Sequence, residues 1–451
     1  MKTIGLITEY NPFHNGHLHQ LNQVRERFGN DTALIAAMSG DWVQRGEPAV
    51  LDKQTRAATA VRCGVNLVIE LPSIFATGSA GIFAGGAVKL LRRTGVIGQF
   101  CCGAEAKDSD LLHRIAELIA DEPQGLSERL KLALRDGLNP GAAWSRAVAE
   151  TFRRISGNTA DGEATAAAAE TALRGSNNWL AIEYIKAACR AEADGDGRIR
   201  PVILPREGQP YLDSTLPAAD SETPAPAAAG ATAIRSTCAA AITRCEGQPR
   251  IDPVLWQTAA AQMPSAAAGA LLSGILNGRI CLPCHIGSAV AQYLLSAAPA
   301  AAEATDGLSP ELFNRLQRQL RLLGDCPPDR LWAALLKQTV SRNFTAAQIG
   351  RALTSGLLGI TTADRQAAIQ AGPAYIRILA FDAKGRYLLK RMRTAARIPI
   401  ITRESDFLEY RDRGPVFRQS FELDRRAAQL RSLMTGRPLN GTAAGAALFC
   451  R

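Results

Sequence analysis

A chain of 451 residues with 47% hydrophobic and 21% charged residues is too long for one ordinary core and too apolar to be disordered, so two or three packed domains are expected. Its 52 Lys and Arg against 42 Asp and Glu leave a formal net charge of +10, which favours a polyanionic partner, nucleic acid first and an anionic membrane surface second. The N-terminus lacks the segments of a signal peptide and no apolar run is long enough to span a bilayer, which points to a cytoplasmic protein whose ten cysteines are mostly buried and reduced.

The first hundred residues alternate short apolar runs (4–7, 33–38, 66–71 and 96–102) with helical stretches (18–28, 53–63 and 80–93). That alternation predicts a parallel sheet with right-handed crossovers and a ligand site at the carboxyl ends of the strands. The polar strings fall at those ends: 9–17 after the first strand, 39–47 after the second and 103–105 after the fourth. Residues 110–192 read as mostly helical, and a further strand over 199–204 precedes Arg206. The Ala/Pro-rich stretch 214–230 reads as an exposed loop. From about 306 the pattern is helical, then strand-like near 375–381 and 398–402. The charge is lopsided: residues 366–451 hold sixteen Lys and Arg against seven Asp and Glu. Basic side chains there (Lys384, Arg386, Lys390, Arg391, Arg393) alternate with aromatic ones, a pattern that suits phosphates and unpaired bases as well as an ordinary solvated face.

Three of the five histidines lie in Thr8-Glu9-Tyr10-Asn11-Pro12-Phe13-His14-Asn15-Gly16-His17-Leu18-His19. Strand, glycine-bearing turn and helix start is an arrangement that aims backbone N–H groups at a phosphate, and His14 and His17 are spaced to face one bound group. A second string, Ala231-Thr232-Ala233-Ile234-Arg235, offers a hydroxyl and a guanidinium to phosphates; its plain structural alternative is Thr232 as a helix N-cap with a surface Arg235. Cys281-Leu-Pro-Cys284-His285 spells a haem-attachment string, but without an export signal or a second ligand pair it reads as a chance match.

His14-Asn-Gly-His17 after a first strand resembles the signature of the nucleotidylyltransferase superfamily. Six longer strings are similar to the bacterial tRNA(Met) cytidine acetate ligase family: 9–17, 38–48, 67–72, 79–84, 176–184 and 377–386. The resemblance implies an α/β fold, a Rossmann-like parallel sheet with HIGH-type nucleotidylyltransferase topology, followed by a mainly helical α+β C-terminal region. It places an ATP-binding catalytic domain over 1–240 and a basic tRNA-binding region over 241–451. It implies ATP as substrate with Mg²⁺, acetate activated to acetyl-adenylate, and transfer to the wobble cytidine of elongator tRNA(Met); no membrane or stable protein partner is implied.

By the same resemblance His14, His17, Thr232 and Arg235 are the catalytic set. The ATP site comprises Ile7, Thr8, Glu9, Tyr10, Asn11, Pro12, Phe13, His14, Asn15, Gly16, His17, Leu18, His19 and Gln20. Gly103, Asn177 or Asn178 (the latter preferred) and Arg206 complete it. Ser39, Gly40, Gln44 and Arg45 are expected to seat acetate and cytosine, with Arg45 against the carboxylate or else paired with Glu47. Arg342, Lys384, Arg386, Lys390, Arg391 and Arg393 are expected on tRNA. The sequence departs from the family's pattern at Ala104, Gly230 and 340–345. Two other functions fit the bare residues: a small-molecule adenylyltransferase or carboxylate ligase with the same ATP site, and an RNA-binding protein without catalysis.

Overall fold

The computed structural model describes residues 1–123, 125–157, 159–193, 195–206, 230–245, 248–439 and 446–450. The expected Ala/Pro-rich loop at 214–230 lies, up to 229, outside the described residues. The strands are β1 (Thr3–Thr8), β2 (Ala33–Ser39), β3 (Trp42–Val43), β4 (Glu47–Pro48), β5 (Leu67–Leu71), β6 (Gln99–Ala104) and β7 (Arg200–Pro205). They continue with β8 (Ile242–Cys245), β9 (Gln248–Ile251), β10 (Ile376–Phe381), β11 (Ile400–Ile401) and β12 (Leu448–Phe449).

One sheet runs β11-β10-β5-β2-β1-β6-β7, with β12 also beside β10. β5, β2, β1, β6 and β7 are mutually parallel, in the register Thr8↔Met38 and Leu6↔Cys101, and β10 joins β5 antiparallel. The apolar runs are continuous because both faces are covered. In β2, Ala33, Ile35 and Ala37 enter one core, while Leu34, Ala36 and Met38 enter the other. Helices Ala80–Arg93 and Ser176–Ala193 cover the first face. Helices Asn15–Phe28, Lys53–Arg62 and Ala231–Ala241 cover the second.

Successive connections leave β1 in opposite directions, toward β2 and toward β6, so the crevice between β1 and β6 is the topological switch point. The boundary expected at 240 falls at the end of helix Ala231–Ala241, and the sheet crosses it, because β10, β11 and β12 return to the edge strand β5. Between these returns, helices Gly287–Ser296, Pro310–Leu322, Pro328–Thr339 and Ala346–Leu358 enclose a core of their own around Leu294, Leu316 and Leu353. The Cys281–His285 string forms a tight turn in which the His285 Nδ1 accepts the Leu282 N–H, and no cluster of metal ligands occurs among the described residues.

The seam between β5 and β10 buries charge. Lys53 Nζ donates to both Glu70 oxygens at 2.7 and 2.9 Å, and Arg377 Nε lies 3.5 Å from Glu70 Oε2. All three side chains are almost wholly buried, so the carboxylate must neutralise two cations that water cannot reach. Glu70→Leu leaves both cations without it and is expected to destabilise the fold by about 3–5 kcal/mol, read from the urea midpoint of the variant against wild type.

Candidate active site

The turn after β1 is built around its own rings. Tyr10 takes a left-handed φ of 48°, a conformation a bulky residue adopts only under tertiary constraint. It packs at 4.7 Å from Phe13 and 4.9 Å from His17, which fixes the entry to helix Asn15–Phe28. His14 is the N-cap: its Nδ1 accepts the Gly16 N–H at 3.1 Å, and the Nδ1 of His17 accepts the His14 N–H at 3.2 Å. Both rings therefore form a reciprocal cap, tilted 32° to one another with centroids 3.8 Å apart.

This cap assigns the protons. A neutral imidazole that accepts at Nδ1 carries its hydrogen on Nε2. Burial, with the nearby Arg206 and Arg235 charges, lowers the His14 pKa to about 3. Burial, then His14 and Arg206, depresses His17 well below the usual range. Two uncharged Nε2–H donors thus lie in the wall of one cleft.

A second helix start converges on the same space. Gly230 and Ala231, at the beginning of helix Ala231–Ala241, line the cleft, so the N-terminal ends of two helices meet there. The N-cap is Gly230, not Thr232, which sits one position inside the helix and does not line the cleft. Arg235 does line it: its Nη1 donates to Asn11 O at 2.7 Å and its Nη2 to Glu47 Oε1 at 3.1 Å. Glu47 therefore pairs across 188 residues with Arg235.

Of the first-turn residues, Ile7, Thr8, Glu9, Tyr10, Asn11, His14, Gly16, His17, His19 and Gln20 line the cleft, while Pro12, Phe13, Asn15 and Leu18 do not. Asn15 instead ties the turn to the segment beyond helix Pro253–Ala260, donating to Ala261 O at 3.0 Å. Gly103 and Arg206 also line the cleft, and a Cβ on Gly103 would stand 2.7 Å from Arg206 Cγ, so only glycine lets that arginine approach. The two asparagines separate cleanly. Asn177 lines the cleft, receives the Arg206 Nη1 donor at 3.0 Å and donates to Glu105 at 2.5 Å. Asn178, the preferred choice from sequence, is consumed by structure: its Oδ1 accepts the Glu105 and Ala106 N–H groups and its Nδ2 donates to Ala172 O.

Of the expected acetate and cytosine contacts, Gln44 and Arg45 line the cleft and Ser39 and Gly40 lie behind it. Their carbonyls are held by a residue that carries no signal in the sequence. Arg56 is buried, and its guanidinium donates to the carbonyls of Glu9, Ser39, Gly40 and Leu51. Phe83, Leu180, Tyr184 and Leu204 supply an apolar wall. The expected RNA contacts stand apart. Arg386 lies over the Phe449 ring at 4.2 Å, Lys384 is 4.0 Å from Asp31, and Arg342 packs on Gly137. Lys390, Arg391 and Arg393 are exposed on helix Ala383–Ala395.

Comparison with known proteins agrees with this geometry. A family model described as HIGH Nucleotidyl Transferase matches residues 1–443. A tRNA(Met) cytidine acetate ligase of Syntrophotalea carbinolica is 34% identical over 96% of this chain and 94% of its own length. One of Acetivibrio thermocellus is 30% identical over 95% and 94%. The crystal structure of Thermotoga maritima TmcAL without ligand superposes with a TM-score of 0.84 at 29% identity, covering both chains fully. The same protein bound with alpha-thio ATP gives 0.81 at 28%, again covering both chains fully.

Two measurements test the site. His14, held neutral when folded and titrating near 6.5 when unfolded, contributes stability that is complete above pH 6.5 and is lost as pH falls toward about 3. His14→Asn keeps a cap acceptor, so its denaturation midpoint is expected to fall less steeply than that of wild type between pH 7 and 5. Asn177→Ala is expected to raise the KM for ATP several-fold with little change in melting temperature, whereas Asn178→Ala, which removes the acceptor of the Glu105 and Ala106 N–H groups and the donor to Ala172 O, is expected to lower the melting temperature by several degrees.

Proposed function

The chain belongs to the HIGH nucleotidyl transferase family and, within it, to the tRNA(Met) cytidine acetate ligases, and we propose that it acetylates its tRNA in two steps. It is an enzyme, an ATP-dependent ligase. In the first step an acetate oxygen attacks the α-phosphorus of ATP and pyrophosphate leaves, giving acetyl-adenylate. In the second the exocyclic amine of the wobble cytidine takes the acetyl group and AMP leaves. The observation that carries the reading is the pair of capped, uncharged imidazoles at the meeting of two helix N-termini.

Acetate is already a nucleophile, so the first step requires orientation and charge stabilisation rather than an enzyme base. His14 and His17 donate Nε2–H to phosphoryl oxygens, Arg235 and Arg206 flank the chain of phosphates, and the apolar wall of Phe83, Leu180 and Tyr184 receives the adenine. Arg45, beside Gln44 at the cleft rim, suits the acetate carboxylate. Thr232 stands inside the first turn of its helix and reaches phosphate only through a ligand extending past Gly230. No group of three or more His, Cys, Asp or Glu side chains that could hold a metal ion occurs among the described residues, and no protein group is assigned to Mg²⁺. The described helices include none long and apolar enough to cross a membrane.

His17→Ala removes one phosphate donor and part of the His14 cap. It is expected to lower acetate-dependent ATP–pyrophosphate exchange about a hundredfold, equivalent to roughly 3 kcal/mol; near-normal exchange would sink the role. Arg391→Ala combined with Arg393→Ala is expected to weaken tRNA binding, flatten its dependence on salt by about two phosphate contacts, and leave exchange intact. An unchanged salt slope would remove helix Ala383–Ala395 from the docking surface.

A further inference from the structure

Acetyl transfer, as the proposed function has it, makes a demand that adenylation does not. Attack of a carboxylate on phosphorus moves no proton. Attack of an exocyclic amine on an acyl carbon must shed one N–H proton, and a cytosine amine is too weak a nucleophile to keep it until after the leaving group departs. Something in the cleft has to accept that proton.

Several of the acid–base groups in and around the cleft are already engaged. His14 and His17 accept backbone N–H groups at Nδ1 and carry hydrogen at Nε2, so neither ring has a free lone pair. Glu47 is committed to Arg235 at 3.1 Å. Glu105 lies off the wall and already receives the N–H groups of Asn177 and Asn178 and the Asn177 side-chain amide. Asp41 is buried beside Lys53, accepting the Lys53 N–H at 3.0 Å. Glu9 is half-buried on the wall at the carboxyl end of β1, and its Oε1 accepts the Gln44 N–H at 2.8 Å, beside the rim assigned to acetate and cytosine. Its Oε2 has no hydrogen-bond partner among the described residues.

The carboxylate is also built into its place. Arg56 Nη1 holds the Glu9 carbonyl at 2.5 Å, which fixes the backbone from which the side chain projects. Burial raises the Glu9 pKa, against the pull of the Gln44 N–H and of the Arg235, Arg56 and Arg45 charges. A carboxyl in that balance accepts a proton more readily than a solvated one.

We propose that the Glu9 carboxylate is the general base of acetyl transfer, taking the N–H proton of the attacking cytidine amine. The inference rests on the two-step reading above. The new C–N bond forms as the N–H proton passes to Glu9 Oε2; the tetrahedral centre then collapses, the acyl C–O bond to the phosphate breaks, and AMP leaves with that oxygen and its electron pair. Glu9 afterwards loses the proton to water. No oxidant, reductant or further reactant is needed.

The experiment separates the two steps in Glu9→Gln, which keeps the Gln44 contact and cannot take a proton. Acetate-dependent ATP–pyrophosphate exchange reports folding and the first step. Single-turnover transfer from preformed enzyme-bound acetyl-adenylate to an unmodified tRNA(Met) transcript, between pH 5 and 8.5, reports the second. Exchange is expected to fall less than tenfold because Glu9 shares the ATP turn. Transfer is expected to fall at least a hundredfold. The wild-type rise of transfer with pH, as the carboxylate form is populated, is expected to vanish in Glu9→Gln and to persist at reduced rate in Glu9→Asp. Equal losses in both steps, or a Gln variant that retains the wild-type pH dependence, overturn the assignment of Glu9 alone. Wild-type protein without acetate-dependent exchange or without acetyl transfer to the transcript overturns the two-step reading and the Glu9 proposal with it.

Discussion

The cleft depends on one buried cation. Parallel strands end in carbonyls that no neighbouring strand can satisfy, and at β1 and β2 these belong to Glu9, Ser39 and Gly40, at the edge of the ligand site. Arg56 gathers all three, with Leu51, on a single guanidinium. Only arginine has enough donors in a fixed plane to do this; a lysine would leave carbonyls orphaned. Burial lowers the Arg56 pKa to about 10, with nearby Asp41 and Asp52 supporting the charge, so the group stays ionised at neutral pH. The turn carrying His14 and His17 and the loop carrying Gln44 and Arg45 are thereby held to one another before any substrate arrives, which is the pre-organisation that catalysis by charge stabilisation requires.

That loop is also gripped from behind by the C-terminal half. Gly46 has φ 75° and sits against Gly350 so closely that a Cβ would lie 2.2 Å from the Gly350 carbonyl carbon. Thr354 Oγ1 donates to Gly46 O at 2.7 Å, Trp42 Nε1 to Ala427 O at 3.0 Å, and Arg431 to the carbonyls of Ala49 and Val50. Residues 39–50 thus belong to the catalytic half by sequence and to both halves by contact. The loop that lines the cleft is therefore fixed by contacts from both halves of the chain.

The sequence made the parallel strands and the histidine turn legible because both rest on local rules: a continuous apolar run for a strand covered on two faces, and polar residues at a strand's carboxyl end. Expected and observed strands differ by about a residue at β1 and β2. What stayed hidden was long-range. Nothing near residue 377 announces that β10 will close the edge of β5, since its partner strand is three hundred residues away and the deciding contact is the buried Lys53–Glu70–Arg377 group. The choice between Asn177 and Asn178 was equally beyond sequence. Neighbouring amides on one helix differ by about 100° in direction, and only the packing of Glu105 against them decides which one faces the cleft. Thr232 was read as a possible cap because threonine caps well, yet the chain begins that helix two residues earlier at Gly230.

The position of the basic helix bears on what the acceptor is. Helix Ala383–Ala395 starts where Asp382 bonds Asn66, just before β5, and Lys384 reaches toward Asp31, just before β2. These are the amino ends of the strands, whereas the cleft lies at their carboxyl ends. Five-residue strands put roughly 17 Å between the two. A small acceptor bound in the cleft could not touch those cations, and they would serve nothing in its recognition. A folded RNA is wide enough to lay phosphates along the helix and present one base to the cleft at the same time. The separation therefore suits the RNA acceptor of the proposed function, with the helix and the cleft engaging different parts of it.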